Sequence, residues 1–308
     1  MPTCAICLKK TTGSDSYHRT CLRLLFGTDT FPKFDTIDLS NLYRKAAEMA
    51  GKMSISGVQE KVSVALTPDK SELQLAATGG RYILKPEPSR LAALPQNEHV
   101  TMLMASLVGI DTPPFGLVWL KDGSPAYLIK RFDRLDDGSK LQVEDFCQLS
   151  GNPLKDKYHG SGEQCAKMLD RFASEPLVEK RKLFIMLLFS WWVANGDHHL
   201  KNLALLTTPE GILRLTPAYD LVCTRLVLPN DIDLAMPIGG KKTKLRRNTW
   251  LAFADYCGIP KRATERLLSS QINATGPAIE LIHSSFLPDA QKEQYVGILN
   301  VNTAILSS

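Results

Sequence analysis

The sequence predicts an α+β fold in two lobes, a small β-rich lobe followed by a larger and mainly helical one. Three observations carry that expectation. Between Met53 and about Arg134 the chain reads as short runs of β-branched and aromatic residues bounded by Gly, Pro or Asp-Gly. After Asp145 the texture turns helical, and the apolar residues from Leu177 to Ala194 wrap nearly the whole circumference, as in a helix buried inside a lobe. The length of 308 residues suits two structural units, and 44% hydrophobic against 22% charged residues excludes disorder as the main description.

Taken in order, the first 50 residues are the least readable, and they stand as a separate N-terminal segment. The small lobe is placed at 51–134, with strands at SVALTP, RYILKP, GLVWLK and AYLIKRF. One helix, NEHVTMLMASLVG, lies between the second and third strands. The large lobe is placed at 135–308. Its buried helix stops at Asn195-Gly196. LALLTTPEGILRLTP then reads as a β-hairpin around a Pro-Glu-Gly turn, and further helices run from Trp250 onward.

The longest membrane candidate, Leu183 to Ala194, falls short of the roughly 18 to 20 apolar residues a span needs and is closed by Lys182, Asn195 and Asp197. The N-terminus shows no basic segment followed by an apolar core and a cleavage site, so a cytoplasmic address is expected. Thirty-seven Lys and Arg against 32 Asp and Glu leave +5, a modest charge that argues against a dedicated nucleic-acid binder while leaving room for local clusters. Seven Cys, an odd number, fit reduced thiols better than disulfides.

The segment richest in chemistry is NGDHHLKN, residues 195 to 202, followed after the hairpin by LTPAYD, residues 215 to 220. A buried helix delivers Asp197 into a loop, Asn202 follows five residues later, and the hairpin returns Asp220 toward the same end. Phosphoryl transfer needs such a set: one carboxylate to orient the attacking hydroxyl, and an amide with a second carboxylate to hold magnesium against triphosphate oxygens. The Asp-to-Asn spacing equals that of the protein-kinase catalytic loop. Lys201 could meet charge developing on the transferred group. Two bland or rival readings stand beside this one: a solvated Asn-Gly-Asp turn with Asp220 as a helix cap, or a metal hydrolase using His198 and His199.

Upstream, MSISGVQEK at 53–61 is small and polar, and Lys85 follows on a strand 24 residues after Lys61. Backbone N–H groups of such a turn can cradle phosphates, and a strand lysine can neutralise them. It is not a Walker loop, because no GKS or GKT follows at the required spacing.

Together these strings resemble the HipA family of bacterial serine/threonine kinase toxins. SISGVQEK, YILKP, NEHVTM, IKRFDR, VEDFCQ, NGDHHLKN, LTPAYD and GGKKTK occur in that order over about 54 to 300. The resemblance implies a two-lobed protein-kinase-like fold that uses ATP and Mg2+. It implies a catalytic base at Asp197 and magnesium ligands at Asn202 and Asp220. It also implies phosphate contact by Lys85, a phosphate loop at Ser56, Gly57, Val58, Gln59, Glu60 and Lys61, and an adenine hinge at Lys130, Arg131 and Phe132. His199 and Tyr219 match nucleotide-contacting positions. The hinge departs from the family pattern, since Lys130 and Arg131 are both basic where an acidic residue is often found, which leaves only backbone contacts to be assumed. Ser54 matches an autophosphorylated serine and Ser56 a second acceptor; a phosphate there would repel ATP.

The chain is short for that family and is similar to its compact HipT branch of HipBST-type systems, in which a separate small protein supplies an additional N-terminal lobe. The implied partners are antitoxin proteins of the same operon, operator DNA, and a protein substrate, by family precedent an aminoacyl-tRNA synthetase. The rivals are a small-molecule kinase of the aminoglycoside or choline type, and an inactive DNA-binding partner of an antitoxin.

Outside this set, Cys4, Cys7, His18 and Cys21 form CxxC, ten residues, HxxC. That pattern is compatible with tetrahedral structural Zn2+; the alternative is a surface segment with reduced cysteines. Cys147, Cys165, Cys223 and Cys257 are expected as packing residues, and Trp191 and Trp192 as core. Lys241, Lys242, Lys244, Arg246 and Arg247 form a dense basic cluster, either a solvated face or a contact for DNA or an acidic partner.

Overall fold

The computed structural model describes residues 1–34, 60–151 and 156–308. They divide into two units: Met1–Val100 with Pro113–Arg134 and Ser284–Leu287, and Thr101–Thr112 with Leu135–His283 and Pro288–Ser308.

In the first unit, alternating apolar residues build a five-stranded antiparallel sheet. Its strands are β1 (Val62–Leu66), β2 (Leu73–Leu75), β3 (Tyr82–Pro86), β4 (Phe115–Trp119) and β5 (Pro125–Lys130), in the order β2-β1-β3-β5-β4. Four of these strands coincide with the runs read from sequence. The fifth, β2, is too short to show a period; a turn fixes it instead. The Asp69 carboxylate accepts from the Thr67 and Ser71 hydroxyls and from the Ser71 N–H, which sets Leu66 opposite Leu73. One sheet face buries Val62, Val64, Leu84, Ala126 and Leu128 against Leu22, Leu25 and Phe26 of a short helix, α1 (Arg19–Phe26). The expected helix between the second and third runs is α2 (Leu94–Leu107), whose residues to Val100 belong to the first unit.

The second unit is mainly helical. A single-turn helix α3 (Phe146–Leu149) is followed by α4 (Gly162–Phe172) and α5 (Pro176–Trp192), and later by α6 (Arg247–Tyr256), α7 (Lys261–Asn273), α8 (Thr275–Ser284) and α9 (Asp289–Ser307). Its sheet has β7 (Ala204–Thr207) in the middle, paired with β6 (Val143–Asp145) and with β8 (Leu213–Leu215). The β7–β8 pair is the hairpin read from sequence; β6, three residues long, was not legible there.

Helix α5 is buried from Leu183 to Trp192, whereas Leu177 and Val178 of its first turn, expected inside the lobe, are exposed. Its end differs from expectation. The helix stops at Trp192, and Ala194, not a glycine, takes the left-handed conformation with φ 54. The Ala194 N–H donates to the Trp191 carbonyl (3.0 Å) and the Asn195 N–H to the Ser190 carbonyl (2.8 Å), the paired bonds of a Schellman cap. Asn302 of α9 donates its amide to the Trp191 and Trp192 carbonyls at 3.1 and 3.0 Å, satisfying acceptors the helix leaves open. Near the other end, buried Glu179 accepts from Lys182 (2.8 Å) and from the Leu215 N–H of β8 (2.9 Å), so helix and hairpin are tied through one carboxylate. Among the described residues no helix is long and apolar enough to cross a membrane.

Glycine is required immediately after this cap. A Cβ at position 196 would lie 2.6 Å from the Ile232 carbonyl oxygen and would strike the Asp231 carboxylate. Gly196→Ala is therefore expected to lower stability by about 1–3 kcal/mol through overpacking, read as a reduced urea midpoint at unchanged slope.

Candidate active site

The loop leaving α5 is pinned on several sides before it reaches Asp197. The Gly196 N–H donates to Thr224 Oγ1 at 2.9 Å, while that hydroxyl donates to the Ala194 carbonyl at 3.2 Å. Asn195 Oδ1 accepts the Asp197 N–H at 3.1 Å, an Asx turn, and Asn195 pairs with Leu234 in an isolated parallel bridge. His198 turns into the core, its Nδ1 2.5 Å from Ser190 Oγ on α5. Burial pushes the His198 imidazole down to about 4, helped by His199 and opposed by the charge of Asp220. It is a neutral clamp at physiological pH.

Held in this way, the Asp197 side chain is 52% exposed, the one residue of the 195–200 segment that faces solvent. Its carboxylate accepts from the Tyr158 hydroxyl and lies 3.9 Å from His199 Nε2. The Tyr158 ring meets the His199 ring edge to face at 5.0 Å. Asn202 ends a 3-10 turn, Leu200–Asn202, and is buried. Asp220 is partly buried and adopts φ 57, a left-handed conformation that a non-glycine side chain takes at a cost of about 1–2 kcal/mol. Its charge is felt at His198, His199 and Tyr219, which places these groups in one neighbourhood. Burial lowers the His199 pKa, opposed by Asp197 and Asp220.

Two of the expected residues have structural partners. Lys201 Nζ is 2.9 Å from Asp145 Oδ2, and Asp145 also caps α3 by accepting the Gln148 N–H. The Tyr219 hydroxyl donates to the Lys201 carbonyl at 3.0 Å, and burial raises its pKa strongly. Among the described residues, the one group of three or more Cys, His, Asp and Glu side chains gathered closely enough for an ion is Cys4, Cys7, His18 and Cys21 in the first unit. Among the described residues, no Cys, Asp or Glu gathers with His198 and His199 into such a group.

In the first unit, Lys85 sits near the end of β3, opposite Tyr127 of β5 and 5.4 Å from that ring's centroid. Its ammonium is 2.5 Å from Glu98 Oε1 of α2, and both side chains are nearly inaccessible to water. The partner glutamate was not singled out in the sequence, although its helix was. At the expected hinge, the Lys130 and Arg131 N–H groups donate to the Pro114 and Arg81 carbonyls. Arg131 forks onto Asp133 at 2.9 and 2.8 Å, and Arg134 joins at 2.6 Å, so Asp133 neutralises the basic pair's second member. Burial raises the Glu60 carboxyl, and Lys61 begins the approach to β1. Ser54, Ser56, Gly57, Val58 and Gln59 lie outside the described residues.

Of the basic cluster, Lys241, Lys244 and Arg246 are exposed, whereas Arg247 binds Glu265 and the Leu306 carbonyl. Cys147, Cys165, Cys223 and Cys257 are buried and in no disulfide, as expected of packing residues.

A family model described as HipA-like C-terminal domain matches residues 53–279. The chain belongs to that family. A protein of Sinorhizobium fredii named "Putative kinase Y4mE" is 28% identical over 238 residues, which cover 74% of this chain and 56% of that relative. The chain thus spans little more than half of that protein's length. Among solved structures, a HipA chain from the Shewanella oneidensis MR-1 toxin–antitoxin complex of HipA, HipB and operator DNA superposes with a TM-score of 0.66 at 23% identity, covering 83% of this chain and 65% of that one. The Helicobacter pylori proinflammatory kinase CtkA gives 0.52 at 14% identity, covering 83% and 92%. These likenesses establish a kinase-like α+β fold for this HipA-like chain.

The Lys85–Glu98 pair lends itself to a direct test. Removing one member of a buried ion pair strands the other, so Lys85→Met is expected to cost about 3–5 kcal/mol. Lys85→Met combined with Glu98→Leu should recover most of that loss without restoring any lysine-dependent nucleotide affinity. Chemical denaturation and nucleotide titration of the single and double variants separate the two effects.

Proposed function

We propose that this HipA-like chain transfers the γ-phosphoryl group of ATP to a serine or threonine hydroxyl of a protein. The observation that carries the reading is Asp197: a half-exposed carboxylate on a loop that is otherwise buried and hydrogen-bonded, with Asn202 and Asp220 as oxygen donors of the same unit. Membership of a family with relatives named as kinases supports it.

In this account the acceptor hydroxyl is oriented by Asp197. The bond from the γ-phosphorus to the bridging oxygen breaks, a new bond forms to the acceptor oxygen, and the hydroxyl proton passes to the Asp197 carboxylate as ADP departs. Asn202 and Asp220 offer a hard, all-oxygen donor pair suited to Mg2+, which when bound offsets triphosphate charge. The buried Lys85 ammonium is held extended by Glu98 and serves the nucleotide phosphates. Lys201 acts through Asp145, locking the loop to the cap of α3.

By the same proposal the chain is the toxin of a type II toxin–antitoxin system of the compact HipT-like kind, acting in the cytoplasm on a translation component such as an aminoacyl-tRNA synthetase. Self-phosphorylation at Ser54 or Ser56, at or just before its phosphate loop at 56–61, switches the kinase off. Antitoxin proteins are its partners, and exposed Lys241, Lys244 and Arg246 supply charge for operator DNA or an acidic partner.

The experiment is incubation of purified protein with labelled ATP, magnesium and a bacterial extract, with Asp197→Asn alongside. The variant is expected to lose phosphotransfer by about 10²- to 10⁴-fold while binding nucleotide as the wild type does. Equal labelling by both proteins would overturn the assignment of Asp197.

A further inference from the structure

The N-terminal motif is the feature of this molecule that phosphoryl transfer leaves unused. CxxC and HxxC are separated in sequence, yet the ligand atoms of Cys4, Cys7, His18 and Cys21 all lie within 4.8 Å of one another. Ligands about 2.3 Å from one tetrahedral zinc stand roughly 3.8 Å apart, so the four side chains already bound a volume of that size. Cys7 Sγ is 3.3 Å and Cys21 Sγ 3.9 Å from His18 Nδ1. All three cysteines are free thiols.

The surroundings are those of a built metal site. His18 Nε2 is 3.0 Å from the Lys10 carbonyl. A carbonyl can only accept, so Nε2 carries a proton, and Nδ1 is the ring nitrogen that faces the sulfurs. The His18 N–H donates to Cys4 Sγ at 3.4 Å, as expected of an amide that stabilises a thiolate. Residues 2 to 11 fold back on themselves through Cys4 N–H to Lys9, Leu8 N–H to Cys4 and Thr11 N–H to Pro2, with Leu8 in the left-handed conformation at φ 62. His18 caps α1 and Cys21 lies in its first turn, where the helix dipole favours negative sulfur. Cys4 is fully buried, and Cys7, His18 and Cys21 are partly so.

We infer that Cys4, Cys7, His18 and Cys21 bind one zinc ion, and that the resulting knuckle braces both the sheet edge and the helix of the first unit. Within the CxxC loop, the Ala5 carbonyl accepts the Leu117 N–H of edge strand β4 at 2.9 Å. Tyr17, next to the histidine ligand, donates its hydroxyl to the Leu117 carbonyl at 3.1 Å. The Ile6 carbonyl is 3.0 Å from Nε2 of His99, a fully buried residue of α2 adjacent to Glu98. Gly116 admits this approach, because a Cβ there would lie 2.7 Å from the Ile6 side chain. Two residues between the first two ligands thus hold β4 and α2, and α2 presents the glutamate that pairs with Lys85. A segment of this size has little core of its own, so its ligation supports its folding.

The test uses the full chain expressed in zinc-supplemented medium and purified without chelator. Elemental analysis should find about one zinc per chain. Cobalt added to chelator-treated wild type should give the intense visible absorption of tetrahedral thiolate ligation, a readout that needs no variant to fold. Cys4→Ser with Cys7→Ser should abolish both signals. Hydrogen exchange at the Leu117 and α2 amides should quicken on chelation and recover on adding zinc. Metal-free wild type that fails to take up cobalt, or metal retained by the double variant, would overturn the site. Exchange at Leu117 and α2 unchanged by chelation would overturn the bracing role.

Discussion

The placement of Asp197 in the second unit depends on how a buried helix ends. A helix that is apolar on all sides leaves its last carbonyls in the core, where an unsatisfied acceptor costs about 1–3 kcal/mol. Here the Schellman bonds, the Asn302 amide and the Thr224 hydroxyl satisfy acceptors at and just beyond that end. The consequence is a chain path with few alternatives from Ala194 to Asp197. A carboxylate on a free loop would lose much of its orienting power to its own motion; this one is delivered by a rigid support.

Two residues of this region also carry backbone strain. Ala194 and Asp220 both adopt left-handed backbone angles that glycine would accept more readily. At Ala194 the buried methyl packs in the core, and at Asp220 a glycine would remove the carboxylate that the proposed metal site needs. The electrostatics agree with this: burial keeps His198 neutral, the buried Lys85 ammonium is paired with Glu98, and Asp197 alone of the 195–200 segment is turned outward.

Periodicity made the larger elements legible. The four longer strands of the first sheet were readable as bounded β-rich runs, the two helices as long apolar stretches, and the β7–β8 hairpin through its Pro-Glu-Gly turn, although β8 itself has three residues. The three-residue strands β2 and β6 were not, because turn hydrogen bonds and sheet pairing define them more than their own side chains do. Asp197, Asn202, Asp220 and Lys85 were legible as chemistry-bearing types at suggestive spacings. The groups around them were not: Glu98 pairs with Lys85, Tyr158 with Asp197, Asp145 with Lys201 and Thr224 with the backbone of Ala194 and Gly196, and these acquire meaning only through contacts. The N-terminal Cys and His residues were readable as a pattern, whereas the carbonyls of Ala5 and Ile6 that tie their segment to the sheet and helix carry no side-chain signature.

The most direct measurement is a crystal structure of the chain with a non-hydrolysable ATP analogue and manganese in place of magnesium, with the metal located by its anomalous scattering. The account predicts metal bound by the Asn202 amide oxygen and the Asp220 carboxylate at about 2.1–2.2 Å, with the terminal phosphate facing Asp197. Manganese held by His198 or His199, or nucleotide seated away from the 195–202 loop, would contradict it.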